Sequence, residues 1–115
     1  MRAIVQRVSS SSVSIEGQVV GKSGEGYLLL VGIHREDDLA DVEKLATKIA
    51  NLRLFNDVAG KINLSILEVM ESRPASILAI SNFTVYGDVA KNRRPSFVDS
   101  APFERGKELF DLLLL

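Results

Sequence analysis

Cysteine and tryptophan are absent from this 115-residue chain, and histidine occurs once. Without cysteine there is no disulfide framework, no thiolate metal site and no cysteine nucleophile, and the sequence says of its compartment only that a reducing one is tolerated. A triad of Ser, His and carboxylate is poorly supported as well, because nothing local orients the lone His34, which reads better as an exposed loop residue. Long apolar runs are missing too. Met1-Arg2-Ala3 opens no signal-peptide core, and no stretch approaches the roughly 20 apolar residues of a membrane span, so a cytoplasmic protein with no membrane partner is expected. Neither a metal nor a cofactor is called for, since a chain of this length buries a core by itself. Charge of one sign is also lacking: 14 Lys and Arg against 15 Asp and Glu leave a formal net charge of -1. A general nucleic-acid coat needs many cationic contacts to phosphates, so any RNA contact here has to be local.

The apolar pattern that is present predicts one α+β domain over residues 1–115. Residues 2–8 and 12–15 have strand composition, and Glu16-Gly17-Gln18 can turn the chain into Val19-Val20. Residues 27–33 are nearly all apolar and of strand length, which suits a central strand, with Gly32 marking either a bulge or a close backbone approach. The period then changes. Leu39, Val42, Leu45, Ala46, Ile49 and Leu52 recur at helical spacing behind Asp37 or Asp38 as N-cap, and acidic residues precede basic ones in the order the helix dipole favours. Asn56 to Gly60 has turn composition, and Ile62, Leu64 and Ile66 alternate with polar residues as a half-buried strand would. Residues 76–80 form another short apolar run. Asp99-Ser100-Ala101-Pro102 signals a second helix with Phe103, Gly106, Leu109, Phe110 and Leu113 as its apolar stripe. The expectation is a curved, mainly antiparallel sheet or barrel with two helices, at about residues 38–53 and 100–115.

The run at 76–80 delivers Ser81, Asn82, Phe83 and Thr84 at its far end, which puts polar groups on a rigid element. If the strand continues, Ser81 and Thr84 face opposite sides and do not act as a pair. Taken alone, Thr84 is an ordinary β-former on a sheet surface. Lys91, Arg93 and Arg94 lie in the basic loop that follows, and with Arg7 they are candidate contacts to RNA phosphate, Arg gripping it bidentately. A solvated basic loop is an equal reading for Lys91 and Arg93, function or loop-anchoring is the reading for Arg94 in Arg94-Pro95-Ser96-Phe97, and a structural ion pair is an equal reading for Arg7. Phe83 and Phe97 suit a core or pocket wall better than a base-stacking platform, because aromatic interleaving is missing.

Ser81-Asn82-Phe83-Thr84-Val85, Arg94-Pro95-Ser96-Phe97 and the opening Met1-Arg2-Ala3-Ile4-Val5-Gln6-Arg7-Val8 together resemble the motifs of the D-aminoacyl-tRNA deacylases, also called D-tyrosyl-tRNA deacylases. The resemblance runs the length of the chain. It departs at Asn82, where the family usually has Gln, and at Asn92, where Gly is common. It implies hydrolysis of the ester between a D-amino acid and tRNA by a homodimer. In that mechanism the terminal adenosine assists through its 2′-hydroxyl, and the protein supplies backbone donors near Phe83 and Thr84. Ser81, Asn82, Phe83 and Thr84 become the catalytic candidates; Arg7, Lys91, Arg93 and Arg94 become the tRNA-binding ones. The family continues into strands with a Gly-Pro motif that excludes L-amino acids, and the chain ends before them. A truncated deacylase-like domain with poor D/L discrimination is therefore expected. The alternatives are a non-catalytic module that binds the tRNA acceptor end and an inactive remnant.

Overall fold

The computed structural model describes residues 1–115 and has the element order β1 (Arg2–Val8), β2 (Ser11–Ile15), β3 (Gln18–Ser23), β4 (Gly26–Gly32), α1 (Leu39–Asn51), β5 (Phe55–Asn56), β6 (Ile62–Leu64), α2 (Ile66–Met70), β7 (Ser76–Ser81), a 3₁₀ turn (Phe83–Tyr86) and α3 (Phe103–Leu113). This is a mixed α+β architecture. The strands form a three-stranded sheet in the order β1-β4-β7 and two antiparallel pairs, β2 with β3 and β5 with β6. As the unbroken apolar run of β4 requires, that strand is the middle one.

Close packing divides the chain into two compact units. One comprises Met1–Ile4, Leu30–Ala46 and Ala79–Leu115, and the other Val5–Leu29 and Thr47–Leu78. In the first, Val31, Ile33, Val42, Tyr86 and Leu109 are buried; in the second, Tyr27, Leu29, Ile49, Phe55, Ile66 and Val69 are. Tyr27 and Phe55 stack with ring centroids 5.1 Å apart.

The hairpin of β2 and β3 closes through Glu16 and Gly17, which pair Ile15 with Gln18 across a two-residue loop. Both loop residues have positive φ, 51° and 82°, the handedness that matches the twist of the flanking strands. Asp38, not Asp37, caps α1: its Oδ1 accepts from the N–H of Ala40 at 3.0 Å, and its own N–H donates to Asp41 Oδ2 at 2.9 Å. The hydrogen bond from the Asp38 N–H, foremost, holds the Asp41 carboxyl below its ordinary range. Asp37 does other work. Its carboxylate takes the Met1 ammonium at 2.6 Å and the His34 N–H at 2.7 Å, with only 8% of the residue exposed.

Two expectations need correction here. The alternating strand expected through Ile66 stops at Leu64, because Ser65 caps a short helix by a reciprocal pair: Glu68 N–H to Ser65 Oγ at 3.2 Å, and Ser65 N–H to Glu68 Oε1 at 3.1 Å. There are accordingly three α-helices and not two. The chain also leaves the extended conformation after Ser81, so Thr84 lies in a 3₁₀ turn and not on a strand opposite Ser81.

Candidate functional site

Strand β7 ends where the site begins. The Asn82 N–H donates to the carbonyl of Val31 at 2.8 Å, which ties the end of β7 to β4. The chain then winds into the 3₁₀ turn directly over Gly32, where a Cβ would lie 2.8 Å from the Val85 side chain and 2.9 Å from the Tyr86 ring. Neither a bulge nor a second backbone but the packing of these two side chains on the Gly32 backbone is the reason for a glycine there. Tyr86 is clamped below by the Arg2 guanidinium, 4.5 Å from its ring centroid, and by the edge of His34 at 5.4 Å. Burial foremost, with Asp37 close by, pushes the Tyr86 phenol above its ordinary pKa.

Of the four residues at 81–84, Ser81 and Phe83 line a cavity of about 420 Å³, together with Ser100, Phe103, Phe110 and the Lys107–Asp111 pair. Phe83 is 58% exposed and meets Phe97 edge to face at 5.0 Å, so Phe83 serves as pocket wall and Phe97 backs its ring. Residues 100–102, which also line it, are fixed by the Ala101 N–H to Ile33 O bond at 2.8 Å. Lys107 Nζ lies 2.8 Å from Asp111 Oδ2, one helical turn away on α3. The cavity is apolar with a few convergent polar groups, the usual make-up of a small-ligand site.

The backbone donors at the head of the turn are not equivalent. The Thr84 N–H donates to Asn82 Oδ1 at 3.0 Å, and the Thr84 hydroxyl donates to the same oxygen. The Phe83 N–H has no acceptor in the chain. An open amide beside an apolar cavity can stabilise charge developing on a carbonyl oxygen. His34 is not placed for base catalysis: its Nδ1 accepts from the Glu36 N–H at 3.1 Å, Nε2 lies 4.0 Å from Asp99, and neither nitrogen bonds a hydroxyl. No cluster of three or more His, Asp or Glu side chains is arranged to hold a metal ion.

The candidate RNA contacts separate in the same way. Lys91, Arg93 and Arg94 are exposed and make no ion pair or side-chain hydrogen bond within the chain. Their loop is held at its base by reciprocal 2.8 Å hydrogen bonds between Asp88 and Ser96. Arg93, Arg94 and Asn92 border an open depression of about 670 Å³. Arg7 lies elsewhere and is engaged: its guanidinium donates to Leu54 O at 2.9 Å and to Asn56 Oδ1 at 3.1 Å. It borders a smaller hollow of about 280 Å³, shared with the Arg73–Glu25 ion pair. Sequence reasoning missed Ser100, Phe110, Lys107 and Asp111 as cavity residues. Ser100 was legible only as part of a helix start and Phe110 only as part of an apolar stripe, while the i, i+4 spacing of Lys107 and Asp111 was the one signal available for that pair.

The fold is thus α+β, with Ser81 and Phe83 on an apolar cavity and unpaired cations in the loop between Asp88 and Ser96. A sequence model of the family described as D-Tyr-tRNA(Tyr) deacylase matches residues 4–114. The D-aminoacyl-tRNA deacylase of Fervidobacterium nodosum is 49% identical over 111 residues, 96% of this chain and 72% of that protein. That of Clostridium beijerinckii is 45% identical over 114 residues, 99% of this chain and 74% of that protein. Among solved structures, one titled c-Myc DNA Unwinding Element Binding Protein superposes with a TM-score of 0.90 at 34% identity, covering 99% of this chain and 74% of that one. A probable eukaryotic D-amino acid tRNA deacylase shares the fold, with a TM-score of 0.77 at 17% identity over 96% of this chain and 63% of that one. The chain belongs to the D-aminoacyl-tRNA deacylase family, whose members are hydrolases acting on an ester bond.

Proposed function

We propose that this chain hydrolyses the ester between a D-amino acid and the end of tRNA, with residues 1–115 acting as one deacylase-like domain. The observation that carries this reading is the 420 Å³ apolar cavity at the end of β7, lined by Ser81 and by Phe83, whose N–H has no acceptor within the chain. The aminoacyl group sits in the cavity against Phe83 and Ser81, and its carbonyl oxygen receives the Phe83 N–H as negative charge develops. Such a donor lowers the barrier by about 3 kcal/mol. Water adds to the carbonyl carbon, the acyl–oxygen bond to the ribose breaks, and the products are a free amino acid and tRNA with its hydroxyl restored. By resemblance to the family, the 2′-hydroxyl of the terminal adenosine assists the proton transfer, which agrees with a turn that carries no histidine or carboxylate base. Lys91, Arg93 and Arg94 hold the phosphates of the acceptor end. Arg7 acts at the same RNA only with the guanidinium N–H groups that Leu54 and Asn56 leave unoccupied. A cytoplasmic homodimer is the matching state.

One observation favours a second reading, a module that binds the tRNA end without turnover: both donors of Thr84 are occupied by Asn82. Both readings are tested by incubating the chain with D- and L-aminoacyl-tRNA while following ester cleavage and binding separately. Cleavage of the D-ester above the spontaneous rate supports the enzyme; saturable binding with cleavage at the spontaneous rate supports the module.

A further inference from the structure

Asn82 joins β7 to the 3₁₀ turn and is held at three points. Its N–H donates to Val31 O at 2.8 Å, its carbonyl accepts the Val85 N–H at 3.2 Å, and its Oδ1 accepts the Thr84 N–H at 3.0 Å together with the Thr84 hydroxyl. Because a backbone amide can only donate, the arm of the carboxamide that faces Thr84 is its oxygen. The Asn side chain has the length for this closure: it reaches the N–H two residues on, as in an Asx turn. One methylene more, as in Gln, carries the amide past that position. Both Thr84 donors therefore point back into the turn, while the Phe83 N–H does not.

We propose that Asn82 is a positioning residue which sets how many donors the site presents, closing the Thr84 amide and hydroxyl onto itself and leaving the Phe83 N–H open to substrate. The catalytic consequence rests on the deacylase reading. A lengthened residue 82 frees a second backbone donor one residue along the turn from Phe83, and that raises turnover.

The test combines amide hydrogen exchange at Phe83 and Thr84 with steady-state deacylation, for the wild-type chain, Asn82→Gln and Asn82→Ser. In the wild type the Thr84 amide is protected relative to Phe83. In Asn82→Gln it exchanges at least about tenfold faster, whereas Asn82→Ser, whose hydroxyl can cap the same amide, keeps the protection. With D-aminoacyl-tRNA as substrate, kcat of Asn82→Gln rises on the order of tenfold while KM stays within about twofold, since the gained donor acts mainly in the transition state. A purely structural role for Asn82 would shift Tm and not separate kcat from KM. Thr84 exchanging as fast as Phe83 in the wild type overturns the proposal. So does a folded Asn82→Gln with a freed Thr84 amide and a kcat that is unchanged or lower. If the Gln variant does not fold, Asn82→Ala opens the same amide and is read by the same two measurements. Should neither wild type nor variant cleave the ester, the deacylase reading falls, and the exchange pattern alone decides for or against the role of Asn82.

Discussion

Around residues 34–37 the polar groups have partners inside the chain, and along residues 88–97 the cations have none. The Met1 ammonium, the His34 N–H and the Asp37 carboxylate satisfy one another, with the Arg105 guanidinium on the Asp37 carbonyl at 3.4 Å. Lys91, Arg93 and Arg94 extend from a loop whose only fixed points are backbone bonds between Asp88 and Ser96 and a turn bond from the Ala90 N–H to Asp88 Oδ1. The first kind of group holds the architecture, because a buried charge must be matched where it lies. The second kind is available to a ligand. The same division separates Arg7, engaged by Leu54 and Asn56, from the loop arginines, and it separates the Thr84 amide from that of Phe83.

The sharpest way to break this contrast is to remove an occupied partner. Asp37→Ala leaves the Met1 ammonium and the His34 N–H buried without an acceptor, and is expected to cost about 3–5 kcal/mol of stability. Urea unfolding measures it. A loss below about 1 kcal/mol would mean that the corner is reached by water and that its pairing is incidental. Next in size is the open donor. Phe83 occupies the first position of the 3₁₀ turn, where Pro fits sterically, so Phe83→Pro removes the N–H and Phe83→Ala removes only the ring. Against Phe83→Ala as reference, Phe83→Pro is expected to lower kcat on the order of a hundredfold or more. Equal kcat values in two folded variants would move the oxyanion contact away from this amide.

How much of this was legible in the chain depends on whether the signal was local. The uninterrupted run of β4, the Glu16-Gly17 turn and the Asp38-capped α1 declare themselves within a few residues, and the structure has them where the pattern put them. Ser65 and Glu68 also spell a capping box, but the strand expected from the alternation of Ile62, Leu64 and Ile66 ran past it into Ile66, the first residue of α2. The site was half legible. Residues 81–84 do mark the end of β7, but extending the strand period past Asn82 misplaced Thr84, because the turn there depends on one side chain reaching two residues ahead. The cavity was not visible at all. It exists only because the Ala101 N–H to Ile33 O bond brings Ser100 and the start of α3 together with Ser81 and Phe83, a juxtaposition with no counterpart in sequence spacing.

The cations provide the third test. Arg93→Ala and Arg94→Ala are each expected to weaken tRNA binding and to reduce the slope of log affinity against log salt by about one unit, with stability unchanged. Arg7→Ala is expected to cost about 1–2 kcal/mol of stability through the lost bonds to Leu54 O and Asn56 Oδ1, and to alter the salt slope less than either loop variant. If Arg7→Ala lowers the slope as much as Arg93→Ala, the distinction between engaged and open cations fails at that residue.

The smallest expected effect lies in the alkaline limb of stability. Tyr86, beside the Met1–Asp37 corner, has its phenol pushed up by burial first and then by Asp37, while Arg2 over the ring opposes this. Tyr27 is likewise raised, burial outweighing the nearby Arg7 charge. A phenol whose pKa is higher folded than unfolded favours the folded state fully below the ordinary value of 10.0, and that contribution is lost as pH rises through the folded value. Unfolding free energy is therefore expected to be flat with respect to these two groups at neutral pH and to fall above about pH 10. Tyr86→Phe removes one ionisation while keeping the ring against Arg2 and His34, so its alkaline limb should be shallower than that of the wild type. An unchanged limb would mean that water reaches the phenol and that the closed character of this corner stops at Asp37.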